Sequence, residues 1–213
     1  MIYFAIRPDY QDDRWLRPNL SASETEMTDW DAKQWSLFRN IKTGFTGKLT
    51  SSSVDLLQSQ TVHINNVKNR PLTVLGAHGM APDDIVLVSG AIKSVIEELA
   101  PKAFEFVRMP KLKDHATGRF AAEADLYFAR ARYEADAVDT SEAPLKELRA
   151  VSPGWRKSKF RGKYALRGRK LPKTDYFREA KTGIGFCTES FKTQLEIAGA
   201  TGWVFFPCAV SGR

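Results

Sequence analysis

Lys181-Thr-Gly-Ile-Gly-Phe-Cys-Thr-Glu-Ser-Phe-Lys-Thr-Gln-Leu-Glu-Ile-Ala-Gly-Ala-Thr-Gly-Trp-Val-Phe-Phe-Pro207 reads as strand, cap, helix, turn and strand. Ile184 to Cys187 is a short apolar run, and Thr188 after it suits an N-cap, its hydroxyl placed to accept from free N–H groups of the first turn. Phe191, Leu195 and Ala198 recur at helical spacing. Glu189 falls in the first turn, where the helix dipole favours an anion. Gly199 and Gly202 supply the positive φ of a helix exit. Trp203 to Phe206 has strand composition, and Pro207 is expected to end it.

The stretch Ile85-Val-Leu-Val-Ser-Gly-Ala-Ile-Lys-Ser-Val-Ile-Glu-Glu-Leu-Ala-Pro-Lys-Ala-Phe-Glu-Phe-Val107 aligns with it without a gap. Ser89 falls on Thr188, Ile92 on Phe191, Lys93 on Lys192, Ile96 on Leu195, Glu97 on Glu196, Phe104 on Trp203 and Phe106 on Phe205. Internal duplication is one reading. Convergence of strand–cap–helix–strand units on one pattern is the other. Either way the expected fold is α+β, mostly antiparallel sheet, with two similar strand–helix–strand units that act as scaffold.

A chain of 213 residues, 43% hydrophobic and 27% charged, suits a single domain over 1–213. Two lobes, 1–110 and 111–213, are the finer expectation. The start, Met1-Ile-Tyr-Phe-Ala-Ile-Arg-Pro-Asp9, lacks a basic leader, a long apolar region and a small-residue cleavage site. No apolar run has transmembrane length, so the cytoplasm is the expected compartment. Cys187 and Cys208 flank the C-terminal strands and read as buried thiols; His63, His78 and His115 are scattered, without a ligand-like neighbour. Neither a metal site nor a cofactor is expected.

Along the chain, Ile2 to Ile6 reads as a strand stopped by Pro8, and Val54 to Leu57 as one helical turn. Thr61 to Ile64 and Leu72 to Leu75 read as two strands around the Asn65-Asn66 turn signal. Pro110 to Gly118 reads as a loop. Ala124 to Val138 reads as one long or bent strand, with Tyr127, Ala129, Ala131 and Tyr133 on one face. Asp139-Thr140-Ser141 reads as a turn.

The charge is uneven. Val151 to Lys173 holds nine of the 32 basic residues and no acid, leaving 23 cations against 25 acids elsewhere. Its cations, Arg156, Lys157, Lys159, Arg161, Lys163, Arg167 and Arg169 among them, interleave with Trp155, Phe160 and Tyr164. That pattern fits three roles: a phosphate-backbone site with base stacking, a solvated strand whose lysines discourage edge pairing, or a docking face for an acidic protein. Trp155, Arg156, Lys157, Lys159, Arg161, Lys163, Arg167 and Arg169 are the candidate partner-binding residues. No catalytic constellation accompanies them. Gly44-Phe-Thr-Gly-Lys48 lacks Walker spacing, and there is no Gly-x-Ser-x-Gly elbow. Asp136 and Asp139 suit a turn better than acid–base work.

Ile85 to Val107, Leu126 to Ser141 (with Asp136, Asp139 and Ser141), Phe177-Arg178 and Phe186 to Pro207 (with Thr188, Leu195, Gly202, Trp203 and Phe205) together form a pattern. It resembles the immunity proteins of bacterial polymorphic toxin systems, the group catalogued as immunity protein family eleven. The resemblance covers roughly the second two-thirds of the chain. It implies a non-enzymatic inhibitor that binds and neutralises a cognate toxin domain by occluding it. The strong basic segment and the first eighty residues depart from the group's pattern. A cationic face would repel a cationic toxin, so a toxin with an acidic surface fits this chain. The alternative is a nucleic-acid-binding module using residues 151–173.

Overall fold

The computed structural model describes residues 2–8, 18–26, 37, 41, 48–76, 85–139, 165–180 and 184–212. Among them are fourteen strands and three α-helices. In chain order these are β1 (Tyr3–Pro8), β2 (Asn19–Ser21), α1 (Ser51–Gln58), β3 (Thr61–Ile64), β4 (Val74–Gly76), β5 (Ile85–Ser89), α2 (Gly90–Leu99), β6 (Phe104–Arg108), β7 (Lys111–Asp114), β8 (Phe120–Ala121) and β9 (Leu126–Ala131). They continue with β10 (Glu134–Ala135), β11 (Ala165–Arg167), a 3-10 turn (Gly168–Lys170), β12 (Tyr176–Glu179), β13 (Gly185–Thr188), α3 (Glu189–Ile197) and β14 (Trp203–Ser211). The chain is therefore α+β and dominated by strands.

Three sheets result among the described residues. One is six-stranded, in the order β10-β12-β13-β1-β14-β11. A second has the order β4-β5-β9-β6 and a third β2-β3-β7-β8. The β4-β5-β9-β6 sheet is antiparallel throughout. The other two are mixed, because β10 with β12, β11 with β14 and β3 with β7 pair in parallel.

The helices begin where side-chain oxygens can cap them. Thr50 accepts from the amide of Ser53 at α1, Ser89 from that of Ile92 at α2 and Thr188 from that of Phe191 at α3. Each helix turns one face inward: Ser53 and Leu57 on α1, Ile92 and Ile96 on α2, Phe191 and Leu195 on α3. The last four share one core with Val86, Val88, Phe104 and Ala129 of one sheet and Ile6, Tyr176 and Cys187 of the six-stranded sheet. A second core joins Leu75, Leu87 and Phe128 to Leu57 of α1 and to Val62 and Ile64 of β3. The third gathers Tyr3, Ala5, Phe177 and Phe186 on the other face of the six-stranded sheet, with Ala137, Val138 and Leu166.

Several expectations are corrected. The long strand over Ala124 to Val138 is two strands in different sheets: β9 ends at Ala131 and β10 starts at Glu134. The Arg132 amide still donates to the carbonyl of Ala103, one place beyond the Phe104–Ala131 pair, and the chain then crosses to the six-stranded sheet at Glu134. Its predicted apolar face survives as Tyr127, Ala129 and Ala131, but Leu126 and Phe128 are buried on the other face as well. β3 and β4 do not pair as a hairpin; β3 joins β2 and β7, while β4 joins β5. The loop expected at Pro110 to Gly118 holds β7, whose partner β3 lies far back in the chain and leaves no local signature. The single turn at Val54 to Leu57 is an eight-residue helix. Pro207 lies within β14 rather than ending it, and β11 joins β14 only from Ala209 onward.

Gly202 has φ +91°, and a Cβ there would lie 2.4 Å from the carbonyl oxygen of Val74. Both the conformation and the space require glycine. Gly202→Ala is expected to destabilise by at least about 1 kcal/mol, read as a lower Tm; an unchanged Tm would refute the close approach.

Candidate functional site

The described end of the basic segment is the edge of the six-stranded sheet. β11 lies against the far end of β14, with Leu166 opposite Val210. On its other side Val138 bridges Leu166, the Arg167 amide donates to the carbonyl of Ala137, and the Asp139 amide donates to that of Ala165. Beneath this junction Glu179 is fully buried, and its Oε2 accepts from the amides of Ala137 (2.8 Å) and Val138 (3.0 Å).

The predicted site residues then divide. Arg167 is paired: its Nη2 donates to the Asp136 carboxylate at 2.7 Å and to the Asp136 carbonyl at 3.0 Å. The pair ties the edge strand to residue 136 and leaves the arginine side chain 32% exposed. Lys170 lies 3.8 Å from the same carboxylate but stays half exposed. Arg169 is exposed. Trp155, Arg156, Lys157, Lys159, Arg161 and Lys163 lie outside the described residues, as does the turn expected at Thr140-Ser141. Asp136 and Asp139, considered above as a carboxylate pair, are occupied structurally. Asp136 holds Arg167, and Asp139 accepts from the Ser211 hydroxyl at 3.1 Å.

Beyond the 3-10 turn the chain lines a groove of about 550 Å³ with Leu171, Pro172, Lys173 and Asp175, joined there by Tyr3 and Thr188. An adjoining hollow of about 400 Å³ shares Asp175 and Thr188 and extends past Ile2 to the first turns of α3. Ile2 is 48% exposed there. The Thr188 hydroxyl donates to the Asp175 carboxylate while it caps α3, and the Thr188 amide donates to the Asp175 carbonyl. The groove thus combines the bonded Thr188–Asp175 pair, apolar lining from Tyr3, Leu171 and Pro172, and one exposed cation, Lys173. The contribution of β1 to it could not be read locally, because β1 comes from the opposite end of the chain.

Among the described residues no group of three or more His, Cys, Asp and Glu could hold a metal ion. Nor is any described helix long and apolar enough to cross a membrane. Both cysteines are free. Burial pushes the Cys187 thiol well above its usual value and that of Cys208 up to about 12, so neither offers a thiolate nucleophile near neutral pH. Two histidines that look scattered in sequence do meet. His63 Nδ1 lies 2.9 Å from His115 Nε2, because parallel pairing of β3 with β7 places residue 63 beside residue 113.

A family model described as Immunity protein family (Imm11) matches residues 6–210. The match takes in the first eighty residues as well as the stretches that carried the resemblance. No curated protein matches the chain.

Proposed function

The chain belongs to the Imm11 immunity protein family, and from that premise we propose that it binds a cognate bacterial toxin domain in the cytoplasm and neutralises it by occlusion, without catalysis of its own. Its docking face in this reading is the basic segment: Trp155, Arg156, Lys157, Lys159, Arg161 and Lys163, continued by the exposed Arg169. Arg167, paired with Asp136, lies on β11. The family match carries the reading.

A comparison of the two halves supports the choice of face. In this reading their elements correspond. Val88 opposes Tyr127 in one sheet as Cys187 opposes Phe4 in the other, and Phe106 opposes Ala129 as Phe205 opposes Ile6. Val74 opposes Val88 as Tyr176 opposes Cys187. Lys93 lies over the rings of Phe106 and Tyr127, and Lys192 over those of Phe4 and Phe205; each lysine is paired with a glutamate one turn on. The parallel β3–β7 ladder likewise corresponds to β11–β14, and the β2–β3 ladder to the Val138–Leu166 bridge. The halves read as two copies of one framework, with first strands exchanged: β1 lies in the sheet of the second copy and β9 in that of the first.

In such a framework a feature present in one copy alone is not required by the fold. The first copy builds β3 from a stretch, residues 46–68, with two lysines and one aspartate. The second copy builds the β11 edge from a stretch with nine cations and no acid. The excess charge is therefore free to serve recognition, and complementary charge raises encounter rates.

The test is co-expression of the chain with its toxin domain, followed by size-exclusion chromatography after nuclease treatment. The same is done for a variant with Lys157, Lys159, Arg161 and Lys163 changed to Ser. A stoichiometric protein complex that survives nuclease and restores growth supports the reading. Association slowed by about tenfold or more in the variant places the interface on the basic face. Recovery of nucleic acid alone, lost in salt and in the variant, would replace this reading with the nucleic-acid-binding alternative.

A further inference from the structure

Each half of the chain is completed by a strand from the other. β1, from the first half, lies between β13 and β14 of the second, with Ala5 opposite Phe186 on one side and Phe206 on the other. β9, from the second half, lies between β5 and β6 of the first, with Ala129 opposite Val86 and Phe106. Ala5 and Ala129 are fully buried. We infer that residues 1–117 and 118–213 recognise each other without the peptide link between them, so that a half of one copy can complete the opposite half of a second copy. The inference does not depend on where the toxin docks.

The link lies at the surface. It is the tip of the β7–β8 hairpin, where residues 116–123 are all exposed and Gly118 turns with φ +70°. The Asp114 carboxylate accepts from the Ala116 amide and the Thr117 hydroxyl, all on the first-half side of a break between Thr117 and Gly118. Bonds that cross such a break tie the halves to each other. The Asp114 amide donates to the Arg119 carbonyl at 2.9 Å, Lys113 Nζ donates to the Gly118 carbonyl at 2.9 Å, and Leu112 pairs with Ala121. A break there exposes no buried side chain.

The contacts between the halves are buried by contrast. Ile92 and Ile96 of α2 share a core with Phe191 and Leu195 of α3, and the Phe104 ring lies 4.4 Å from that of Tyr176. The Thr201 amide donates to the Thr73 hydroxyl oxygen at 2.9 Å. Withdrawing β1 would strip β13 and β14 of a shared hydrogen-bonding partner, and withdrawing β9 would do the same to β5 and β6. Main-chain groups orphaned in a core are costly, and an open sheet edge pairs with any strand that fits. In the intact chain a short link holds the matching half at an effective concentration on the order of mM, so completion within one chain prevails. Once the link is cut, the opposite half of any copy serves equally.

The test uses the full chain with a specific protease site inserted between Thr117 and Gly118, cut after folding. The pieces should co-elute as an equimolar complex at the size of the uncut chain, with unchanged far-UV circular dichroism. The urea midpoint of the cut complex should rise with protein concentration, while that of the uncut chain should not. The amides of Ala5 and Ala129 should remain as protected from hydrogen exchange as in the uncut chain. Cut protein with an N-terminal affinity tag is then unfolded and refolded with an equal amount of untagged, isotope-labelled cut protein. About half of the second halves recovered on the tag should carry the label. If the insertion itself disturbs the hairpin, a site between the exposed Ala122 and Glu123 gives the same test. Four outcomes would each overturn the inference: separation of the pieces in native buffer, a midpoint independent of concentration, loss of protection at Ala5 and Ala129, or recovery of unlabelled second halves alone.

Discussion

Glu179→Ala is expected to destabilise the protein by about 2–5 kcal/mol, although the residue touches no predicted partner surface. One oxygen of its fully buried carboxyl group accepts from two backbone amides, those of Ala137 and Val138. Alanine leaves both donors without an acceptor where water has no access, and each orphaned donor costs about 1–3 kcal/mol. The strand bearing Glu179 is fixed on both sides. Phe177 opposes Phe186 of β13, and Glu134 and Ala135 of β10 run parallel to Arg178 and Glu179. Main-chain movement therefore cannot easily fill the gap. Glu179→Gln keeps an acceptor oxygen in the same place and should cost distinctly less. Urea unfolding of the two variants is the measurement. A lowered midpoint at unchanged slope is expected for alanine, and a loss below about 1 kcal/mol would mean that the two amides find other partners. Because residues 137–139 hold β11, the alanine variant should also loosen that strand, and in the proposed reading affinity for the toxin should fall with stability.

That dependence on residue 179 shows where the sequence was legible and where it was not. The two strand–cap–helix stretches were readable because their signals are local: Ser89 and Thr188 stand just before the helices they cap, and Ile92, Ile96, Phe191 and Leu195 recur at helical spacing. Composition likewise exposed the basic segment, since charge sums need no geometry. What stayed hidden is set by pairing across long separations. β7 looked like a loop because its strand character comes from β3, and β9 looked continuous with β10 because nothing local marks the crossing at Arg132 and Tyr133. Arg167 counted with the other cations, yet its role follows from Asp136 on a distant loop. The His63–His115 contact depends on a parallel register that no motif encodes. Buried acids such as Glu179 are the hardest case, as an isolated glutamate in Tyr-Phe-Arg-Glu reads as surface.

Phe191→Ala is expected to cost about 3–5 kcal/mol and to do so without splitting the unfolding transition. Phe191 is fully buried, and its ring lies 5.7 Å from Tyr176, which in turn lies 4.4 Å from Phe104 of the other sheet. The cavity would therefore open at the junction of the two halves. Ile92→Ala, on α2, removes a smaller side chain and should cost about 2–5 kcal/mol from the same core. The proposed single domain over 1–213 makes a further demand. With β1 hydrogen-bonded between β13 and β14, and β9 between β5 and β6, neither half holds a complete sheet of its own. Calorimetry should then show one transition in the wild type and in both variants, with matching calorimetric and van't Hoff enthalpies. Two transitions, one moved by Phe191→Ala and the other by Ile92→Ala, would show that lobes near 1–110 and 111–213 unfold separately and that the exchanged strands do not bind them into one cooperative unit.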